Sequence, residues 1–328
     1  MKATAVAPSN IAFIKYWGKK KGKEAERLPA NGSISMNLSN LATTTTVAFS
    51  KKYKKDSILW NGKKPRERSF QRVIRHLDRI RELGKISERA RVVSINNFPH
   101  GTGLSSSASG FAALTVAGSG AANLQLSQKG MSILARRASG SACRSIPSGF
   151  TEWLDADSSD ESYAVSIFPP DHWNIIDIVA ITKKDEKEIS STEGMSRAET
   201  SPFFEQRLKK MNKKITDCKK YIKAKNFTSF GNLIEQEAIE MHTVALTSNP
   251  PLIYWYPETV LVMKAVQQWR KDGLESYFTI NTGHNLHIIT EAKNQSNVIK
   301  ELQEIKAVRE IIANKPALGA RIIEKHLF

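Results

Sequence analysis

Cysteine is nearly missing: the 328 residues include only Cys143 and Cys218, 75 positions apart. Two thiols so placed exclude a disulfide framework and a cysteine zinc site. Long apolar runs are also lacking, and none approaches the ~20 residues that a bilayer helix requires. The opening MKATAVAPSN has no apolar core of the kind that marks a secretory signal. Internal repeats and low-complexity tails are absent. Acidic residues are scarce, with 32 Asp and Glu against 49 Lys and Arg, for a formal charge of +17. These shortages predict a soluble, cytoplasmic protein in a reducing setting. The hydrophobic content of 40% suffices for one large domain or two medium ones.

The charge is unevenly spread. From Lys51 to Arg91, 15 Lys and Arg stand against five Asp and Glu, a net +10. Within that segment Glu67 to Leu83 predicts a helix stopped by Gly84. Phe70, Val73, Ile74, Leu77 and Ile80 recur at helical spacing, and Arg68, Arg72, Arg75 and Arg79 form a second stripe. Such a stripe reads first as a solvated face and second as an attractor of phosphate on a nucleotide, a membrane or RNA. A basic RNA-binding protein is thus the rival class, although no aromatic interleaving accompanies the charge.

Strand and helix signals mix throughout. VAPSNIAFIKYW, LPANGSISMNL and ATTTTVAF read as hairpin strands, and ARVVSIN and IIDIVAIT as further strands. Helices are expected over Leu126–Ala138, capped by Ser127, and over Pro202–Ala224, Phe227–Thr243 and Pro257–Asp272. The class is therefore α+β. The polar break KKDEKEISSTEG places a junction near residue 185, giving units 1–185 and 186–328.

Three stretches carry chemistry. In PHGTGLSSSASGFAAL, Gly101 and Gly103 permit unusual backbone turns ahead of Ser105, Ser106 and Ser107. A helix starting near Ser106 would aim free N–H groups and its positive dipole end at an anion. The Gly-Lys-Ser/Thr ending of a Walker A loop is absent, and a flexible Gly/Ser connector is the competing interpretation. ASGSACRSIPSGF sets Arg144 among Ser139, Ser141 and Ser145, a combination suited to carboxylate or phosphate. Cys143 beside it reads as a buried thiol, since no histidine nearby in sequence would activate it. PSNIAFIKYWGKK puts Lys15, Tyr16 and Trp17 at the end of an apolar strand, where an ammonium requires an anionic partner.

These pieces, with LPANGSISMNL, STEGMSRAETSP and YFTINTGHN, resemble in order and spacing the diphosphomevalonate decarboxylase family of the GHMP kinase superfamily. The resemblance spans essentially the whole chain. It implies two α+β lobes, the first like domain 2 of ribosomal protein S5 and the second ferredoxin-like, with the active site between them. It implies ATP and Mg2+, and phosphorylation of the 3-hydroxyl of 5-diphosphomevalonate, then loss of phosphate and CO2 to give isopentenyl diphosphate. Substrates of sister enzymes, 5-phosphomevalonate or a 3-phosphorylated mevalonate, are the alternatives. A homodimer is common in the family. By motif position Gly101, Gly103, Leu104, Ser105, Ser106, Ser107 and Ala108 would wrap the ATP phosphates. Asn10, Tyr16, Trp17, Ser139, Gly140, Ser141, Arg144 and Arg197 would hold the substrate, with Lys15 and Arg144 also catalytic. No metal ligand is indicated.

One position departs from the pattern. The family's last motif is FTxDAGPN, whose aspartate is assigned to the 3-hydroxyl as base or orienting group; here the sequence is FTINTGHN, with Asn281 at that position. An amide oxygen can accept a hydrogen bond but cannot take the proton, and general-base help is ordinarily a factor of about 10²–10⁴. His284 is the substitute base that the motif offers.

Overall fold

The computed structural model describes every residue except Glu24, His100, Gly101 and residues 186–188. Its first sheet is organised by two long strands. β1 (Lys2–Ile14) and β2 (Ser33–Ser50) pair antiparallel from Lys2↔Ala48 to Ile14↔Ile34, with irregularities at Pro8/Asn10 and Ala12/Ile14. β3 (Ser57–Trp60) leads into α1 (Glu67–Gly84) and β4 (Arg89–Asn96), which pairs with β2 and lies parallel to β3. Lys85 rather than Gly84 takes the left-handed conformation that ends α1, at φ 49°. α2 (Ser106–Ala121) and α3 (Gln128–Ala138) follow, and the Ser127 hydroxyl caps α3 by accepting from the Gly130 amide. A 3-10 turn over Gly140–Ser145 then precedes β5 (Phe150–Trp153) and β6 (Ala164–Phe168), which extend the sheet from β2.

The second sheet begins with β7 (Ile175–Ile181), buried along its whole length. After it come the short α4 (Ser191–Ser196), then α5 (Phe204–Ala224), α6 (Phe227–Leu246) and α7 (Pro257–Lys271). β8 (Ser276–Thr279), β9 (Leu286–Glu291), α8 (Gln295–Gln303) and β10 (Glu310–Asn314) complete a four-stranded antiparallel sheet in the order β10-β7-β9-β8. The chain then returns, and β11 (Arg321–Ile323) pairs with β1. Strands change sheets between Phe168 and Ile175, ahead of the polar break near residue 185, and the last strand rejoins the first sheet. The mixed α+β, two-sheet architecture is the one expected.

Two apolar clusters explain how the sheets are held. α2 is built almost entirely of small and apolar residues and is buried all round, so it lies against β1 and β2 without a polar face. The far halves of β1 and β2 contribute Ile11, Phe13, Ile14, Ile34 and Met36 to a second cluster with Val179 of β7, Ile215 of α5 and Phe230 of α6. Each such fully buried side chain contributes roughly 1.5–3 kcal/mol. The two sheets thus share one core, which fixes the cleft between them. No helix among the described residues is long and apolar enough to cross a membrane.

Candidate functional site

A cavity of about 590 Å³ opens where β1 ends, α2 begins and the β8–β9 loop arrives. Helix α2 enters it without an acidic residue in its first turn and without a side-chain cap. Its N-cap Ser105 is held at φ 55°, an uncommon conformation for a residue with a side chain. Two loops interlock there. A Cβ on Gly103, at φ 94°, would lie 2.8 Å from the Gly283 Cα, and one on Gly283 would lie 2.5 Å from the Gly103 Cα. Only glycine at both positions lets the serine loop and the Asn281 loop pack backbone to backbone.

Asn281 occupies the junction they make. Its Nδ2 donates to Ser105 Oγ at 3.0 Å, and its Oδ1 accepts from Lys15 Nζ at 3.4 Å. Lys15 also donates to Ala12 O at 2.6 Å and to Thr279 Oγ1 at 2.7 Å. The ammonium is buried with only neutral acceptors in contact. Burial depresses its pKa to about 7, aided by Arg144 and Arg207 and opposed by Glu237 and Asp177.

The second small-residue cluster lies next to the first, with the Ser107 and Ser139 hydroxyls 3.1 Å apart. Arg144 donates to Ser33 Oγ at 2.7 Å and to Asn10 Oδ1 at 3.2 Å, while its Nε is buried without a partner. The Tyr16 hydroxyl is likewise buried and unpartnered, and burial raises its pKa. Tyr16 packs on Trp153 at 4.6 Å and lies so close to Gly140 that a Cβ there would approach its ring to 2.8 Å. Buried polar groups are ordinarily satisfied. Here two unpartnered ones, a guanidinium N–H and a phenol, converge on one wall and suit an anion.

The cavity brings together Lys15, Tyr16, Trp17, Gly103, Ser105, Ser106, Ser107, Ala108, Ser139, Gly140, Ser141, Arg144 and Asn281 from the residues expected. Others fall elsewhere. Asn10 sits behind the wall, holding Arg144 and donating to Ser145 Oγ at 2.8 Å. Leu104 is buried, and its carbonyl accepts from Ser9. Arg197 pairs with Glu193 at 2.9 Å instead of lining the cavity. His284 is off the wall too: its ring stacks on Tyr256 at 4.9 Å, and its Nε2 lies 3.0 Å from Lys183 O. Gly101 lies outside the described residues. Cys143 is a fully buried thiol whose pKa burial pushes up to about 12.

The arginine stripe of α1 is where sequence reasoning fell short. Arg68 and Arg75 are exposed, yet they line the cavity with Arg66, Arg72 and Arg27. Arg72 lies over the Phe111 ring at 4.7 Å and donates to Ala138 O at 3.2 Å. Burial lowers its pKa to about 10, with Arg27, Arg68 and Arg75 adding repulsion. No described carboxylate pairs with Arg27, Arg68, Arg72 or Arg75. Beyond them the cavity turns apolar at Ile58, Trp60 and Val92. Asp78, three residues on from Arg75, pairs with Arg81 instead, so the stripe seen in the sequence keeps no described acidic partner.

A model of the diphosphomevalonate decarboxylase-like N-terminal domain matches residues 7–164, and one of the mevalonate 5-diphosphate decarboxylase C-terminal domain matches residues 177–319. The diphosphomevalonate decarboxylase of Debaryomyces hansenii is 35% identical over 317 residues, covering 90% of this chain and 81% of its own. The mevalonate diphosphate decarboxylase of Staphylococcus aureus superposes with a TM-score of 0.93 at 36% identity, covering 98% of each chain. A chain solved as MDDEF in complex with MVAPP, AMPPCP and magnesium superposes at 0.92, with 36% identity over 99% of each. Both halves of the sequence and the fold that joins them therefore agree: the chain belongs to the diphosphomevalonate decarboxylase family.

Proposed function

We propose that this protein catalyses the ATP-dependent decarboxylation of 5-diphosphomevalonate to isopentenyl diphosphate, releasing ADP, phosphate and CO2. One observation carries the reading: two anion-receptive walls, at the start of α2 and at Tyr16 and Arg144, flank the Lys15–Asn281 pair in one cavity. The relative solved with MVAPP and AMPPCP carries a mevalonate-type and a nucleotide-type ligand together.

The first-turn amides of α2 and the hydroxyls of Ser105, Ser106 and Ser107 receive the nucleotide's phosphates. Arg72 and Arg75 neutralise their charge, and the apolar end at Ile58, Trp60 and Val92 suits a flat base. Tyr16, Ser139, Ser141 and Arg144 hold the anionic groups of the mevalonate, leaving its 3-hydroxyl beside Asn281. Asn10 and Arg197 act at one remove, through Arg144 and Glu193. The only described carboxylate on the wall is that of Glu193, and no described cluster of His, Cys, Asp or Glu could hold a metal. A carboxylate-bound metal does not fit these residues, so magnesium would travel on the nucleotide's phosphate oxygens.

Once the 3-hydroxyl carries phosphate, the C3–O bond breaks as the carboxylate leaves as CO2. The electrons of the broken C–C bond become the new double bond. Arg144 and Lys15 supply the positive field that stabilises departing phosphate. The test is to follow ADP and CO2 with purified protein, ATP-Mg and 5-diphosphomevalonate. Equal amounts of both are expected, with Arg144→Ala losing both. ADP without CO2 would overturn the decarboxylation.

A further inference from the structure

We propose that the neutral amine of Lys15 is the base of the phosphorylation step in this chain, taking the proton from the substrate's 3-hydroxyl. The inference rests on the proposed function, in which that hydroxyl lies beside Asn281. The wall of the cavity leaves few rivals. Its described titratable side chains are Lys15, Tyr16, Glu193 and arginines. Guanidiniums do not release their protons at working pH. Tyr16 is a phenol that burial keeps protonated. Glu193 is committed to Arg197. His284 is stacked away on Tyr256, and His242, which does not line the cavity, packs on Trp255 with its Nε2 3.0 Å from the backbone oxygen of Asn281.

Lys15 has the placement that the others lack. Its Nζ stands 3.4 Å from Asn281 Oδ1, and no described carboxylate touches it. The charges that act on it come from four elements: Glu237 on α6, Arg144 on the 3-10 turn, Arg207 on α5 and Asp177 on β7. Both acids are occupied, Glu237 by Arg207 and Lys214 and Asp177 by His287. A buried ammonium facing only neutral groups is disfavoured, which agrees with a pKa near 7. When the amine takes up a proton, three acceptors already stand around it, at Ala12 O, Thr279 Oγ1 and Asn281 Oδ1. The step balances: the O–H proton passes to Nζ, the oxygen bonds to the terminal phosphorus of ATP, and ADP leaves with the bridging oxygen. The proton returns to solvent before the next turnover. An aspartate at position 281 would instead pair with the ammonium and hold it charged.

The experiment titrates Lys15 directly and then through activity. In protein labelled with ¹³Cε-lysine, the resonance that disappears in Lys15→Met should titrate with a midpoint near 7. In the unaltered protein kcat/KM for ADP formation should fall about tenfold per pH unit below that midpoint, because only the neutral amine accepts a proton. In Asn281→Asp the Lys15 midpoint should rise by about one pH unit or more, and activity should persist below the wild-type limb. A midpoint close to an ordinary lysine's ~10.4, or an acid limb unmoved by Asn281→Asp, overturns the proposal. ADP formed at a pH-independent rate overturns the base role alone. Ligand binding with no ADP at any pH overturns the phosphorylation reading itself.

Discussion

Asn281 makes two hydrogen bonds that aspartate could not duplicate unchanged, because its amide donates to Ser105 and its oxygen faces Lys15. In Asn281→Asp the Ser105 hydroxyl can turn and donate to the new carboxylate, so the two loops stay in register. What changes is the charge beside Lys15. Turnover of 5-diphosphomevalonate should therefore rise at least about tenfold at pH 6, within the usual reach of general-base help. The gain should shrink above pH 8, where Lys15 is already neutral. Substrate affinity measured by calorimetry should change much less than kcat. Asn281→Ala removes both bonds and should lower turnover at every pH. Cys143 is a simpler case: fully buried, with a pKa pushed up to about 12, it should resist iodoacetamide in the native protein and react only after denaturation.

Elements differed in how far the sequence revealed them. The serine loop, the Arg144 turn and the Lys15 strand end were legible because each packs its small or charged residues into a dozen positions. α1 was legible as a helix from its apolar period, but the period says only which residues share a face, not what that face meets. Its arginines line the cavity beside Ile58, Trp60 and Val92 because α1 packs against α2 and the C-terminus of α3. There Arg72 and Arg79 donate to Ala138 O and Arg137 O, both at 3.2 Å. Strands such as β3, β5, β6, β10 and β11, three to five residues long, carry too few alternations to be read locally. The arginine stripe yields a test. Arg75 is exposed and has no described ion-pair partner, so Arg75→Gln should leave thermal stability within about 0.5 kcal/mol. It should weaken AMPPCP binding several-fold, and the deficit should diminish as salt screens the wild-type protein. Arg72→Gln should weaken binding more, since its guanidinium is less screened by water. Unchanged affinity in both variants would return the stripe to a solvated face.

At the scale of the molecule, one buried ion cluster ties the two sheets together beneath the site. Glu237 of α6 bonds Arg207 of α5 and lies 2.6 Å from Lys214 Nζ, while accepting from the Lys15 amide at 3.2 Å. Arg207 in turn donates to Lys15 O at 2.9 Å and to Asn31 Oδ1 at 3.3 Å. These partners are 23 to 222 positions apart, so no local pattern could announce them. The cluster holds the backbone at Lys15 from the side of the second sheet, which couples stability to the chemistry. Burial alone would raise the Glu237 pKa, but Arg207 and Lys214 outweigh it and hold the carboxyl below its usual value. Its contribution is therefore complete above the unfolded value of ~4.3 and is lost as pH falls through the lower folded value. Glu237→Gln leaves two cations buried without their anion and should cost about 3–5 kcal/mol near neutrality. In chemical denaturation the gap between the unaltered protein and Glu237→Gln should still be present at pH 5 and close below about pH 4. Turnover should fall with it even at temperatures where the variant is folded, because the Lys15 N–H loses its anionic acceptor and Arg207, which holds Lys15 O, loses its counter-ion. A variant as stable as the parent at pH 7 would show that the shared apolar core, not the ion cluster, sets the position of Lys15.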